Sequence, residues 1–363
     1  MNLFYKIVRI LVAIIFIFSG LIKLNDPTGT AIKLEEYFEV FSTDFGSWFL
    51  QLIPYNLFFS ILLSFLEVVL GVALLIRFRF RIVLWCLLIL VLFFGFLTFY
   101  SAFYNKVTDC GCFGDAIKLT PWQSFGKDMI LLIAILFLLI KYRRTENRST
   151  YFQYGFMGFG ILFALFIPYY SLRHLPFIDF LPYKVNSNIS ALMKSSAPLQ
   201  YQYNMEKDGK IHPFDVYPTD TTYHFKDMIL LNPEAKPKIT DYYIWNDEGD
   251  FTSKSLKGAK LLIIIPQAEE ANKKGIVRIK ELVEKLDDKK VESMVLTSSD
   301  EFIFELFRHD VQLAVPYYFS DSAVLKAMIR ANPGIMLLQN GVIKGKWNFS
   351  DIPSMEKIYK LIE

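Results

Sequence analysis

The chain has 363 residues, of which 53% are hydrophobic and 17% aromatic, and its formal net charge is +3. This composition is too apolar for an ordinary soluble protein and indicates insertion into a lipid bilayer. The charge is small and forms no basic stripe, which argues against nucleic-acid binding. The apolar excess lies before residue 172, whereas residues 185–363 have the charged composition of a globular region.

Five apolar runs approach the roughly 20 residues needed to cross a bilayer about 30 Å thick. Each predicts a transmembrane helix, with four helices as the alternative because the fourth run is short. No A-x-A-like cleavage site follows the first run, so we expect a retained helix and not a signal peptide. The runs cover residues 7–24, 57–76, 82–104, 129–140 with an N-terminal extension, and 154–172.

The basic residues of the short loops predict the orientation of these helices, because Lys and Arg are enriched on the cytoplasmic side. We therefore expect a multi-pass membrane protein with a cytoplasmic N-terminus and a C-terminal region on the opposite side of the membrane. The predicted cytoplasmic side carries Lys6, Arg9, Arg77, Arg79, Arg81, Lys141, Arg143, Arg144 and Arg148, and the opposite side carries Lys23, Lys33, Lys106, Lys118 and Lys127.

A loop between the third and fourth runs, "DCGCFGD", contains two of the three cysteines. Adjacent thiols in an oxidising compartment rarely stay unpaired, and a strained disulfide exchanges readily. Cys110 and Cys112 are thus either a redox-active pair or part of a structural turn whose thiols pack against helices or pair with another chain. We expect no metal site, because two thiolates and no nearby histidine are too few ligands. Cys86, within the third run, is expected to be a packing residue.

Polar residues inside the apolar runs predict a second functional feature. Glu67 falls near the middle of the second run, where a carboxylate is costly and therefore a functional candidate. Lys23 and Ser19 lie one turn apart on the outer half of the first run. We expect a cluster of these three residues that relays protons or binds a quinone head group. The alternative is a structural hydrogen bond that fixes helix register.

Three ordered motifs resemble the DoxX-like membrane family, and in particular its methylamine-utilisation branch, MauE. They are "FIFSGLIKLNDP", "FLEVVLGVALLI" and "DCGCFGDAIKLTPWQSFGKDMILL", within residues 5–140. The resemblance implies a four-helix membrane module and a role in disulfide formation or electron transfer during maturation of periplasmic enzymes. Cys110 and Cys112 match the paired cysteines of that branch. Lys127 and Asp128 stand where the family often has an Arg-Asn pair.

The remaining sequence predicts a surface linker over 175–189, and then an α/β domain. Before the domain, residues 201–218 predict a hairpin that turns at Asp208-Gly209. Alternating strands and helices imply parallel pairing, and the last hairpin, turning at Asn340-Gly341, implies an antiparallel end. The predicted strands are a first one before the turn at Asp247-Glu248-Gly249, then 260–265, 291–297 and 314–319. The predicted helices are 272–287, 300–308, 321–331 and 353–362.

This order resembles a thioredoxin-like domain of the periplasmic TlpA type, with Asn332-Pro333 at the position of the cis-proline loop. After its first apolar strand the chain reads "PQAEEANKKGI", without cysteine. Thiol exchange within this domain is excluded, because the thiolate is the nucleophile. The resemblance implies instead that Asn332 and Pro333 bind a periplasmic protein partner. The combination of the two regions resembles membrane proteins of Bacteroidetes of similar length. This resemblance implies a protein of the bacterial inner membrane whose C-terminal domain is periplasmic.

The predicted organisation is a membrane helical bundle followed by a thioredoxin-like domain. Its parts are a DoxX/MauE-like module (1–150), a fifth transmembrane helix with linker (151–190), a β-rich segment (191–238) and the cysteine-less domain (239–363). The predicted function is thiol–disulfide redox chemistry or electron transfer through an outward-facing loop, linked to a quinone or to a protein partner. The alternative is a non-enzymatic scaffold or assembly factor whose cysteines are structural.

Overall fold

The computed structural model describes residues 3–107, 111–141, 150–287 and 290–363. The chain divides into two compact units, Met1–Phe180 and Leu181–Glu363, here called the membrane unit and the C-terminal unit. The boundary between them lies within the predicted linker.

Five helices of the membrane unit, within the described residues, are long and apolar enough to cross a bilayer. They confirm the predicted helical bundle and its count of five. The fourth begins eight residues before its apolar run, because Thr120 and Gln123 form a capping box there. The helices of this unit are α1 (Leu3–Asn25), α2 (Pro27–Asp44), α3 (Asn56–Leu75), α4 (Phe80–Tyr104), α5 (Pro121–Ile140) and α6 (Tyr151–Arg173), with a 3₁₀ helix over Ser47–Tyr55.

Helix α2 was not predicted, because its charged residues interrupt every apolar run. It begins where the Asp26 side chain accepts a hydrogen bond from the Gly29 N–H at 2.8 Å, with Pro27 in the first turn. Its buried side chains recur at helical spacing, so one face packs against the bundle while the other stays polar. These buried residues are Ala31, Leu34, Tyr37 and Phe41.

Two glycines let α1 and α3 approach closely. A Cβ on Gly20 would lie 2.8 Å from the Ser64 carbonyl oxygen, and one on Gly71 would lie 3.0 Å from the Ala13 carbonyl oxygen. Small residues at such positions allow helix backbones to pack tightly inside a bilayer, where van der Waals contact drives association. The α1–α3 pair is therefore the closely packed centre of the membrane unit.

The C-terminal unit begins with a short helix and a three-stranded antiparallel sheet. Its central hairpin turns at Asp208-Gly209, where both residues have positive φ, as the prediction required. The third strand was not predicted, because its side chains are mostly exposed and lack an alternating pattern. The elements are α7 (Ile189–Leu192), β1 (Tyr201–Lys207), β2 (Lys210–Phe214) and β3 (His224–Leu230), in the sheet order β2-β1-β3.

A seven-stranded mixed sheet forms the rest of this unit, in the order β10-β9-β6-β7-β8-β4-β5. Strands β6, β7 and β8 are parallel, and β9 runs antiparallel to both β6 and β10. The strands are β4 (Trp245–Asn246), β5 (Gly249–Asp250), β6 (Ala259–Ile265), β7 (Glu292–Thr297), β8 (Tyr317–Phe319), β9 (Gly334–Gln339) and β10 (Val342–Asn348). The helices are α8 (Thr252–Ser255), α9 (Lys273–Val283), α10 (Glu301–Asp310), α11 (Ser322–Met328) and α12 (Met355–Ile362), and Pro233–Ala235 is a 3₁₀ helix.

The order β10-β9-β6-β7, with a cis Asn332–Pro333 bond just before β9, is the thioredoxin-like arrangement. It confirms the predicted fold of the C-terminal region, including parallel pairing and the antiparallel last hairpin. Strand β6 forms the core, since its residues from Leu261 to Ile265 are fully buried. Helix α9 ends earlier than predicted, at Val283, because the chain tightens there and the Leu286 N–H donates to the Val283 carbonyl.

We expect Gly20→Ala to destabilise the membrane unit. The added methyl group meets a backbone carbonyl that cannot move aside, so α1 and α3 must separate, at a cost of about 1–3 kcal/mol. The matched control is Gly158→Ala on α6, where a new Cβ meets nothing within 4 Å. Thermal unfolding in detergent should show a lower midpoint for Gly20→Ala only; equal midpoints would contradict the tight α1–α3 contact.

Candidate functional site

A cavity of about 60 Å³ lies in the membrane unit, enclosed by helices α1 to α5 and the loop that follows α4. A water molecule needs roughly 10–15 Å³ of such space, so the cavity has room for a few waters. Its lining is unusual for a transmembrane bundle because charged side chains from several helices meet there. The polar lining residues are Ser19, Lys23, Thr30, Lys33, Tyr37, Ser64, Glu67, Thr98, Cys112 and Lys127.

A buried ion pair joins α1 to α3 at this cavity. The Lys23 ammonium donates to Oε1 of Glu67, and the two side chains are only 7% and 2% exposed. The same ammonium lies 4.7 Å from the centre of the Phe94 ring, a cation–π contact. Oε2 of Glu67 is buried and has no hydrogen-bond partner among the described residues. The carboxylate therefore has one oxygen bonded to lysine and one without a described partner, in a residue that lines the cavity.

The cysteine loop is attached to α1 through its backbone. The Ser19 hydroxyl donates to the Cys112 carbonyl oxygen at 2.8 Å. Gly111 and Gly114 have φ values of 61° and 50°, in the left-handed region that glycine tolerates. The Gly114 N–H donates to the Gly111 carbonyl and closes a tight turn between them. This turn places Cys112 at the cavity.

The structure adds Lys127 and Asp128, to which the sequence analysis gave no role. Lys127 Nζ lies 2.9 Å from Asp128 Oδ1, and the Thr98 hydroxyl donates to Asp128 Oδ2 at 2.9 Å. The Lys127 ammonium also lies 5.2 Å from the centre of the Phe113 ring. The sequence feature that could have indicated their burial is the capping box at Thr120. It places the start of α5 before both residues, so that they lie on the helix within the bundle.

Burial raises the pKa of the Cys112 thiol above its ordinary value. Among charged groups, Lys127 opposes this effect most, because its cation favours the thiolate. Asp128 raises the pKa of the thiol, and Lys23 lowers it. Desolvation is the largest effect, so the thiol titrates at higher pH than a free cysteine.

The structure brings four of the predicted site residues to one cavity: Ser19, Lys23, Glu67 and Cys112. The three residues do not form one hydrogen-bonded cluster, however. Lys23 bonds Glu67, whereas Ser19 bonds the backbone of the cysteine loop. Cys110 lies outside the described residues. The chemical roles of these residues stay predictions. Cys86 is a free, half-buried cysteine on α4.

The predicted partner-binding residues of the C-terminal unit lie in a loop bonded within its own domain. The Asn332 carbonyl accepts a hydrogen bond from the Asn272 N–H at 3.0 Å, and the Asn332 side-chain amide donates to the Gln267 carbonyl at 2.7 Å. Pro333 is buried and Asn332 is half-buried. A partner would therefore contact this loop mainly through Asn332, and docking there stays a prediction. Within the described residues, no group of three or more His, Cys, Asp or Glu residues has the arrangement of a metal site.

The family described as methylamine utilisation protein MauE matches residues 1–141. The matched region covers α1 to α5, the helices that enclose the cavity. Together with the C-terminal unit, it makes the chain a multi-pass membrane protein with a thioredoxin-like domain.

Among curated proteins, the chain is similar to protein TlpB of Flavobacterium psychrophilum, with 27% identity over 163 residues. The match spans 44% of this chain and 43% of that protein, less than half of either. Two solved structures are also similar, the reduced 2-Cys peroxiredoxin of Plasmodium vivax and the mitochondrial 2-Cys peroxiredoxin of Plasmodium falciparum. Each has 10% identity and a TM-score of 0.23; they cover 49% and 47% of this chain, and 79% and 90% of their own chains. TM-scores this low carry no weight, and the thioredoxin-like assignment rests on strand order and the cis-proline bond.

We expect Glu67→Leu to destabilise the membrane unit strongly, because it leaves the Lys23 charge buried without its partner. Breaking a buried ion pair in this way costs about 3–5 kcal/mol. The double variant Lys23→Met/Glu67→Leu removes both charges and should recover most of the loss. Unfolding in detergent measures the three proteins; a double variant as unstable as the single one would contradict the pairing.

Proposed function

We propose that this protein carries out thiol–disulfide redox chemistry through Cys110 and Cys112, on the periplasmic face of the bacterial inner membrane. The observation that carries the proposal is the position of Cys112 at a cavity that contains buried charged residues. Buried ionisable groups in a membrane bundle are costly and are usually retained for function. Thiol chemistry needs such groups, because protons must be exchanged whenever the disulfide forms or opens.

The balance of the reaction indicates what the cavity does. When Cys110 and Cys112 form a disulfide, two S–H bonds are lost, and two protons and two electrons leave the pair. We assign the proton path to Glu67, because this residue lines a space large enough for a few waters and its Oε2 has no hydrogen-bond partner among the described residues. Lys23 fixes the other carboxylate oxygen, and Ser19 fixes the loop.

The electrons pass to a membrane carrier or to a protein partner of the loop. A quinone head group fits poorly inside the described cavity, because a cavity that takes one benzene ring has about 150 Å³. The volume of about 60 Å³ suits water better. We therefore assign proton transfer, and not carrier binding, to this space.

The C-terminal unit provides the docking part of the proposal. Its thioredoxin-like domain has no cysteine, since the three cysteines of the chain are Cys86, Cys110 and Cys112. A domain of this fold without a thiolate retains a surface for a partner protein but performs no exchange itself. We propose that it binds a periplasmic partner near Asn332 and the start of α9.

A scaffold or assembly factor is the second candidate function. It is favoured by the three-stranded sheet, whose exposed apolar side chains are typical of a surface that binds another protein. In this case Cys110 and Cys112 are structural, and loss of both leaves function intact. The exposed apolar residues are Ile211, Phe225, Met228 and Ile229.

Trapping of mixed disulfides tests the two functions. A variant that keeps only one loop cysteine, Cys110→Ser or Cys112→Ser, should accumulate a covalent adduct with its redox partner, because the second thiol that would resolve the adduct is absent. The Cys110→Ser/Cys112→Ser variant is the control and should trap nothing. Recovery of no adduct from either single variant, with normal function of the double variant, would favour the scaffold.

Glu67→Gln tests the proton path. The substitution removes the titrating group but keeps its size and its ability to accept a hydrogen bond from Lys23. We expect the rate of thiol–disulfide cycling to fall about tenfold or more, as is usual for loss of an acid–base group. Cycling at the parental rate in a protein of reduced stability would show that Glu67 has only a structural role.

A further inference from the structure

We infer that Lys127 is a positioning residue for the cysteine loop. Its ammonium group is held toward the Cys112 thiol and stabilises the thiolate. Asp128 and Thr98 hold Lys127 in that position. The inference rests on the proposed function, because it assigns a role in the same chemistry. It gives a purpose to an ion pair that neither the loop motif nor the Glu67 cluster explains.

The capping of α5 determines where these side chains lie. Thr120 and Gln123 fix the first turn, so the register of the following residues is set. Consecutive residues on a helix differ by about 100° in direction. Besides their mutual ion pair, Lys127 therefore contacts the Phe113 ring and Asp128 contacts Thr98. The Asp128 side chain is 2% exposed inside the bundle, whereas that of Lys127 is 21% exposed near the loop.

The ion pair is oriented with its cation at the loop. The Lys127 ammonium lies over the ring of Phe113, the residue directly after Cys112. The carboxylate of Asp128 is bonded on its other side by Thr98 of α4. The positive end of the pair therefore lies beside the residue next to the cysteine, and Lys127 and Cys112 line the same cavity. The negative end is bonded to α4. The effects on the thiol agree, since Lys127 lowers its pKa more than Asp128 raises it.

The other charged groups around Cys112 are already balanced by partners. Lys23 is paired with Glu67, and Lys33 is paired with Glu36 at 3.1 Å. Lys127 is paired too, with Asp128, but among the charged groups it has the largest effect on the thiol. The titratable and charged groups that line the cavity are Lys23 on α1, Lys33 and Tyr37 on α2, Glu67 on α3, Lys127 on α5 and Cys112 itself, with Asp128 next to Lys127.

A fixed cation at this place affects both directions of disulfide exchange. Burial alone keeps the thiol protonated near neutral pH, so the nucleophile would be scarce. Lys127 restores part of the thiolate population, and the proton released by the thiol passes to water. When a disulfide opens, the same cation stabilises the departing Cys112 thiolate. Lys127 itself neither gains nor loses a proton in this scheme.

The test is the pH dependence of Cys112 alkylation in the full-length protein, in detergent, with iodoacetamide as the probe. Cys86→Ala and Cys110→Ser leave Cys112 as the one reactive thiol. An opposite charge nearby shifts a pKa by about one to three units, so Lys127→Gln should slow alkylation near neutral pH about tenfold and move the profile to higher pH. Lys127→Arg retains the cation and should keep the rate within about twofold.

The matched control is Lys106→Gln, which removes a lysine that pairs with Asp44 and does not line the cavity. Its profile should coincide with that of the parent. A Lys127→Gln profile that also coincides with the parent would overturn the inference. If Lys127→Gln does not fold, Lys127→Gln/Asp128→Asn removes both charges; slower alkylation than in the parent supports the inference, and parental alkylation overturns it.

The measurement separates this inference from the proposed function. Alkylation reports the thiolate of Cys112 and needs no redox partner. A shifted profile in a protein whose loop never cycles would refute the redox function and leave the electrostatic role of Lys127 standing. Cycling of the loop together with an unshifted alkylation profile would support the redox function and refute the electrostatic role of Lys127.

Discussion

The ion pair between Lys23 and Glu67 constrains the rest of the membrane unit. Neither charge is stable alone in hydrocarbon, so α1 and α3 must stay in the one register that brings them together. Gly20 lies one turn before Lys23, and Gly71 one turn after Glu67, so each glycine shares a helix face with its charged neighbour. Close backbone contact and charge pairing therefore require the same helix alignment. The cavity is a product of that alignment.

The two ion pairs of the site lie at different depths in the membrane unit. Lys23 and Glu67 lie fully inside the bundle and leave one carboxylate oxygen unbonded. Lys127 lies nearer the loop and is partly exposed. In the proposed scheme, the buried Glu67 carboxylate transfers protons, and the partly exposed Lys127 ammonium stabilises the Cys112 thiolate. Both ion pairs depend on helices within residues 1–141, and none of these residues belongs to the thioredoxin-like domain.

Much of this architecture could be predicted from the sequence, because its signals are local. Five long apolar runs gave five helices, and Asp208-Gly209 and Asn340-Gly341 gave two turns, since positive φ suits these residues. Helix α2 and strand β3 could not be predicted in this way. The first is buried along a narrow face, and the second exposes nearly all of its side chains.

The candidate site was predictable only in part, for a different reason. Glu67 and Lys23 stand out as charges within apolar runs, so sequence reasoning placed them together. Lys127 and Asp128 precede the apolar core of their helix and look like loop residues. Their burial depends on where α5 begins and on the neighbouring Thr98 of α4. A contact with a separate helix has no signature in a single sequence when the residue lies outside the apolar run, as Lys127 and Asp128 do.

The bond from Ser19 to the Cys112 carbonyl has a consequence for how the loop tolerates change. The bond engages the main chain and leaves the sulfur uninvolved, so its strength is independent of the oxidation state of the side chain. A change in the oxidation state of this side chain would therefore not remove the hydrogen bond between the turn and α1. A residue without sulfur at position 112 would still offer its backbone carbonyl to Ser19. The conformation of the loop therefore does not depend on the presence of the thiol.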